Sequence, residues 1–192
     1  MKFFKLMSDY NNPNIPVAII KECYGFEQYH FNTAKKVEEW NTDFSFFYNS
    51  NDGKPLTDYL RNDLGCLVVS SRIKSLWDIL STTIQYLPVK VINEATGSIN
   101  REYYIANVLL EIDALCLDQS KYYSTEIERN GKKETIVVVS KYVLFGTRVA
   151  NNDIFKLTKG QQIPVFVSEK FVKEMKSANM DIGMDFLEVR IV

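Results

Sequence analysis

The chain is poor in the residues that most often carry chemistry. It has one histidine, His30, in 192 residues. A paired-histidine metal site is excluded, and any Ser/His/Asp or Cys/His catalytic set would have to use that single ring. His30 stands between Tyr29 and Phe31 and reads as a packing or surface residue. The three cysteines, Cys23, Cys66 and Cys116, are odd in number and none is at CxxC spacing. Cys66 and Cys116 sit in apolar surroundings, so the reading is a reducing compartment and no disulfide. There is no GxGxxG, no GxxxxGK[ST] and no HExxH. No apolar run is long enough for a membrane span, and the start MKFFKLMSDY is too short for a signal-peptide core. Net charge is −1, which gives no bulk attraction to nucleic acid or anionic lipid. These absences together predict a cytoplasmic protein with no cofactor, no metal and no catalytic set.

What is present looks like an ordinary globular domain, 46% hydrophobic and 24% charged. The organising stretch is Tyr103–Ser120. Its first eight residues are apolar or aromatic except Asn107, the pattern of a strand covered on both faces in the middle of a sheet. Asp113 is placed to cap a short turn or helix over Ala114–Gln119. A strand–Ser–helix unit precedes it: Cys66–Val69 as strand, Ser70 as N-cap, then Ile73, Leu76, Trp77, Leu80 and Ile84 at helical spacing. The same unit recurs as Pro164–Val167, Ser168, and Phe171, Val172, Met175 and Ala178. A true repeat and two ordinary junctions both fit units this short.

Further strands are expected at Lys2–Met7, Val17–Ile20, Leu87–Ile92 and Asp153–Leu157. In the final strand, Phe186–Val192, Leu187, Val189 and Ile191 share one side. Asn130-Gly131 predicts a hairpin between Tyr122–Glu128 and Lys132–Phe145, with the β-branched run Ile136–Val139 buried. Pro55 could start a short helix through Arg61, and Gly146–Asn152 reads as a loop. The fold class is α+β: a mixed, largely antiparallel sheet with the two strand–Ser-cap–helix units packed on it. Residues 1–64 read as an aromatic and acidic N-terminal lobe packed on a main domain of residues 65–192.

The stretch Glu22–Asp63 has no steady period. Its eight acids against four bases give it a charge of −4, leaving +3 for the rest. Ten aromatics are mixed with those acids. That composition suits an interface for a basic partner, and it equally suits a lobe whose aromatics are core and whose acids face water. The candidate partner-binding residues are Glu27, Glu38, Glu39, Trp40, Asp43, Phe46 and Tyr48. Elsewhere, Glu111 with Asp113 is the best carboxylate pair for acid–base work, with Asp118 nearby; such work would require a pocket, and the other reading is that the two face solvent as the strand emerges, with Asp113 capping. The basic residues Arg129, Lys132 and Lys133 are interrupted by Glu126, Glu128 and Glu134 and read as a solvated hairpin end.

The ordered set VVSSR at Val68–Arg72, YYIANVLLEIDAL at Tyr103–Leu115 with Ser120, DIF at Asp153–Phe155, VFVSEKF at Val165–Phe171 and GMDF at Gly183–Phe186 resembles immunity-protein family eleven of bacterial polymorphic toxin systems. The resemblance covers about Gly65–Val192 well and the opening residues more loosely. One departure is that the family tends to carry a second acid where this chain has Cys116, with Asp118 two residues on. The resemblance implies a cytoplasmic protein that neutralises a cognate toxin by binding, with no catalytic residues to carry over. A carboxylate-dependent enzyme and a homo-oligomeric structural module remain the other readings.

Overall fold

The computed structural model describes the chain except residues 82, 130–131 and 159–163 and the side chains of residues 127, 129, 132 and 134. The Asn130-Gly131 turn and most of the basic cluster beside it lie outside the described residues.

Six strands close into a barrel: β2 (Val17–Ile20), β3 (Ser45–Tyr48), β6 (Ile84–Asn93), β7 (Ile99–Val108), β5 (Val68–Ser70) and β4 (Tyr59–Asn62), in that order. The β2–β4 and β3–β6 pairs are parallel and the others antiparallel. Residues 1–64 therefore supply three barrel strands and residues 65–108 the other three. Period-two alternation fills the interior, with Leu87, Val89 and Val91 of β6 facing Phe46, Leu60, Val68 and Ile105.

A second, six-stranded sheet runs in the order β11 (Val143–Leu144), β14 (Met184–Ile191), β1 (Phe3–Ser8), β13 (Val165–Ser168), β12 (Ile154–Leu157) and β8 (Glu111–Ile112). Successive residues serve opposite faces. Val165 and Val167 of β13 face the barrel side, while Phe166 packs on Phe3 and Phe155 on the other. Helices α2 (Ser71–Leu80) and α4 (Glu169–Ser177) fill the space between barrel and sheet through Ile73, Trp77, Phe171, Val172 and Met175. Helix α1 (Gln28–Asn32) lies against the barrel, and α3 (Gly146–Val149) follows β11. Strands β9 (Lys121–Arg129) and β10 (Lys132–Lys141) pair only with each other among the described residues. The fold is α+β, with mixed sheets in which antiparallel pairs predominate. No helix among the described residues is long and apolar enough to cross a membrane.

The expectation for β7 holds: Tyr103 and Ile105 face the barrel interior, while Ala106 and Val108 face α2 and the sheet. Both serines cap as expected, accepting from Ile73 N–H and Phe171 N–H respectively. The two units match more deeply than their sequences suggest. Ser70 donates to Asp58, whose other oxygen takes Arg72, and Ser168 donates to Asp153, whose other oxygen takes Lys170. Each aspartate immediately precedes the strand that pairs antiparallel with its serine's strand. Three residues after each aspartate is a buried cation, Arg61 or Lys156.

Five local expectations are corrected. The helix from Pro55 through Arg61 is absent; Tyr59–Asn62 is a strand whose four residues are all buried between β2 and β5, so tertiary pairing overrides the Pro signal. Ile84 begins β6 and is not helical, because α2 ends at Leu80 with Ser81 as C-cap. Asp113 does not cap the Leu117–Gln119 3₁₀ turn; it accepts from Arg148 instead, at 3.0 Å. Ile136–Val139 are half-buried or exposed, since a two-stranded ribbon is covered on at most one face. Gly146–Val149 is a helical turn rather than loop.

Candidate functional site

The loop that follows α1 carries Glu38, Glu39 and Asp43, and two polar side chains of the barrel and one of its backbone carbonyls fix it. Gln85 on β6 brackets Val37, accepting from its N–H at 2.9 Å and donating to its carbonyl at 2.7 Å. Asn107, the one polar interruption of the apolar run in β7, donates to the Lys35 carbonyl at 2.7 Å. Trp40 donates its indole N–H to the Pro88 carbonyl at 2.8 Å. Buried amides of this kind hold a loop in one conformation, because leaving them unpaired costs about 1–3 kcal/mol each.

Around that loop the aromatics form one cluster. Trp40 stacks on Phe44 at 4.8 Å between centroids and meets Phe26 at 4.9 Å; Phe26 also contacts His30 and Phe31. Its inner members are core: Phe31 and Phe44 are buried, while Trp40 and Phe26 are half-buried. Tyr29 and Tyr24 remain exposed at its rim.

The structure brings together some of the expected contact residues and separates others. Glu38 and Glu39 are exposed and line an open groove with Tyr29 and His30. Glu27, also exposed, closes a capping box with His30 at the start of α1, its N–H donating to Nδ1 at 2.9 Å. Asp43 pairs with Lys90 of β6, and that ammonium holds its carboxyl below the usual range. Phe46 is fully buried inside the barrel and presents nothing to a partner. Tyr48 is half-buried at the far end of β3, beside Asn93, away from Trp40. Lys35 and Lys36 line the same groove as the glutamates, so its charge is mixed.

The carboxylates Glu111, Asp113 and Asp118 are all exposed and line none of the cavities described here. Among the described residues no three His, Cys, Asp or Glu side chains cluster as metal ligands. A more enclosed, largely apolar cavity lies elsewhere. A cleft of about 370 Å³ opens where barrel, sheet and the β9–β10 ribbon meet, with Lys156 on its wall. Lys156 is not among the candidate residues of the sequence, although a lysine between Phe155 and Leu157 in a short apolar strand is a signal of a buried cation.

Among curated proteins no sequence matches the chain. The family model described as "Immunity protein family (Imm11)" matches residues 6–190, nearly the whole length, and the chain belongs to that family.

Proposed function

We propose that this protein neutralises a cognate bacterial toxin by binding it directly, without catalysis. Family membership over residues 6–190 is the observation that carries this reading. The contact face we favour is the loop-and-helix surface around Glu27, Glu38, Glu39, Trp40 and Asp43, with Tyr29 and Tyr24 at its rim. Its backbone is already held by Gln85, Asn107 and the Pro88 carbonyl, so ordering it on binding forfeits little entropy. Half-buried aromatics beside exposed acids suit a partner with a basic surface. In this reading residues 1–64 form the partner-facing lobe and residues 65–192 the framework. Binding takes place in the cytoplasm, where the toxin is made.

Co-expression with the toxin encoded by the adjacent reading frame tests the function. Rescue of growth and a complex on size exclusion are expected; cell death with no complex rejects direct neutralisation. A separate test addresses the face. Reversing Glu27, Glu38 and Glu39 to lysine is expected to slow association and flatten its salt dependence. Unchanged association in that variant, with neutralisation intact, moves the interface elsewhere.

A further inference from the structure

The cleft between barrel, sheet and ribbon has an unusual charge balance for a protein of net charge −1. Two of its lining residues, Lys5 and Lys156, are cationic, and no aspartate or glutamate lines it among the described residues. The remaining wall is largely apolar, with Leu6, Phe31, Leu67, Ala106 and Val138 among its members. Tyr59 and Cys66 also line it, and burial pushes both upward, the Tyr59 hydroxyl to about 12, so both are neutral near pH 7.

Lys156 is 2% exposed and donates to the Phe31 carbonyl at 2.5 Å, which fixes its ammonium at the cleft wall. Its counterpart in the first unit shows the contrast. Arg61 gives both terminal nitrogens to backbone carbonyls, those of Asp9 and Ile15, and serves to pin the segment after β1. The lysine stands at the same position of the second unit but faces a cavity. Burial lowers its amine to about 8, with Glu111 opposing, so it is still mainly an ammonium at neutral pH. A buried ammonium in an apolar cavity is a strong attractor for one anionic group.

We propose that this cleft binds a small monoanion with an apolar body, a medium-chain carboxylate, with Lys156 as its counter-ion and the apolar wall enclosing its chain. The volume lies within the range of small-molecule sites, roughly 300–1,000 Å³. The proposal is independent of the toxin-binding face, whose residues Glu27, Glu38, Glu39, Trp40 and Asp43 do not line the cleft.

The test is calorimetric titration of the full chain with decanoate and with decanol. Decanoate is expected to bind one to one, and decanol at least about tenfold more weakly, because only the carboxylate meets the ammonium. Lys156→Met is expected to weaken decanoate by at least about tenfold and to leave decanol unchanged. Val138→Trp provides a second variant, since Val138 is partly exposed on the cleft wall and its enlargement narrows the cavity without disturbing the core; both ligands should weaken. No saturable decanoate binding to the wild type, or equal affinities for decanoate and decanol, overturns the proposal. Unchanged decanoate affinity in Val138→Trp overturns the location.

Discussion

The indole N–H of Trp77 points at Sδ of Met175, 3.3 Å away, and each of these residues stands seven positions after the capping serine of its own unit. Equivalent positions of the two units thus touch each other. Phe171, three positions after Ser168, completes the contact with its ring 5.3 Å from that of Trp77. Helices α2 and α4 thus meet through matching positions of the two units. The shared Asp–Ser–cation anchors and the paired buried cations support the same reading, so the two junctions form an internal structural repeat.

Trp77 is the largest side chain with no exposed surface. Trp77→Ala is expected to lower stability by about 3–5 kcal/mol through the cavity it leaves. Urea denaturation measures this. A loss below about 1 kcal/mol would mean that barrel and sheet do not depend on the shared layer between them.

The aspartate anchors should be equivalent in energy as well as geometry. Asp58→Ala and Asp153→Ala are each expected to cost about 1–3 kcal/mol, chiefly because the cap serine loses its orienting acceptor. The exposed Arg72 and Lys170 contribute little of this. Denaturation of the two variants side by side checks it, and a large cost at one site with none at the other contradicts the equivalence.

Stability should depend on Lys156 in a defined pH window. Its amine titrates near 10.5 when unfolded and at about 8 in the fold. Between those values the unfolded chain holds a proton that the folded chain has released, so this group makes stability rise with pH. Below about 8 its full penalty applies, about 3 kcal/mol. Cys66 and Tyr59 act in the opposite sense, because their raised values keep protons on the folded chain as the unfolded one loses them, so their share falls as pH rises past 9 and 10. Lys156→Met isolates the first effect. The stability difference between variant and wild type should shrink as pH rises from 8 to 10.5, and a flat difference would show that the amine is not perturbed.

Asn107 offers a test of loop anchoring. Asn107→Ala is expected to cost about 1–3 kcal/mol and to accelerate amide exchange at Val37 and its neighbours, because the Lys35 carbonyl loses its donor. Unchanged exchange there would assign the hold on the loop to Gln85 and Trp40 alone.

Local signals were legible in the sequence where the cause was local. Ser70 and Ser168 announce their helices because a cap and an apolar stripe lie within one turn of each other. The Tyr103–Val108 strand is legible because both of its faces are covered. Pro55–Arg61 misleads because Tyr59–Asn62 take their conformation from β2 and β5, which are distant in sequence or separated by a turn. Barrel closure depends on the β2–β4 and β3–β6 pairings, for which no periodicity speaks. The repeat is partly hidden because Asp58 and Asp153 sit 12 and 15 residues before their serines, outside the strand–Ser–helix window. Among the contact candidates, Phe46 shows the limit of composition: an aromatic in an acidic stretch can point inward, and only the register of β3 decides it.

The first strand has its partners at the far end of the chain. Phe3 lies opposite Ser168 on one side and Val189 on the other. The barrel draws only on residues 17–108 and can close while the ribosome is still at work. The FFKLM segment emerges well before both of its neighbours and meets them after a wait on the order of ten seconds or more at roughly 5–20 residues per second. Until then it is an apolar strand with two open edges, the element most exposed to mispairing or to a chaperone. Completion of the sheet around β1 therefore waits on β13 and β14, however early the barrel closes.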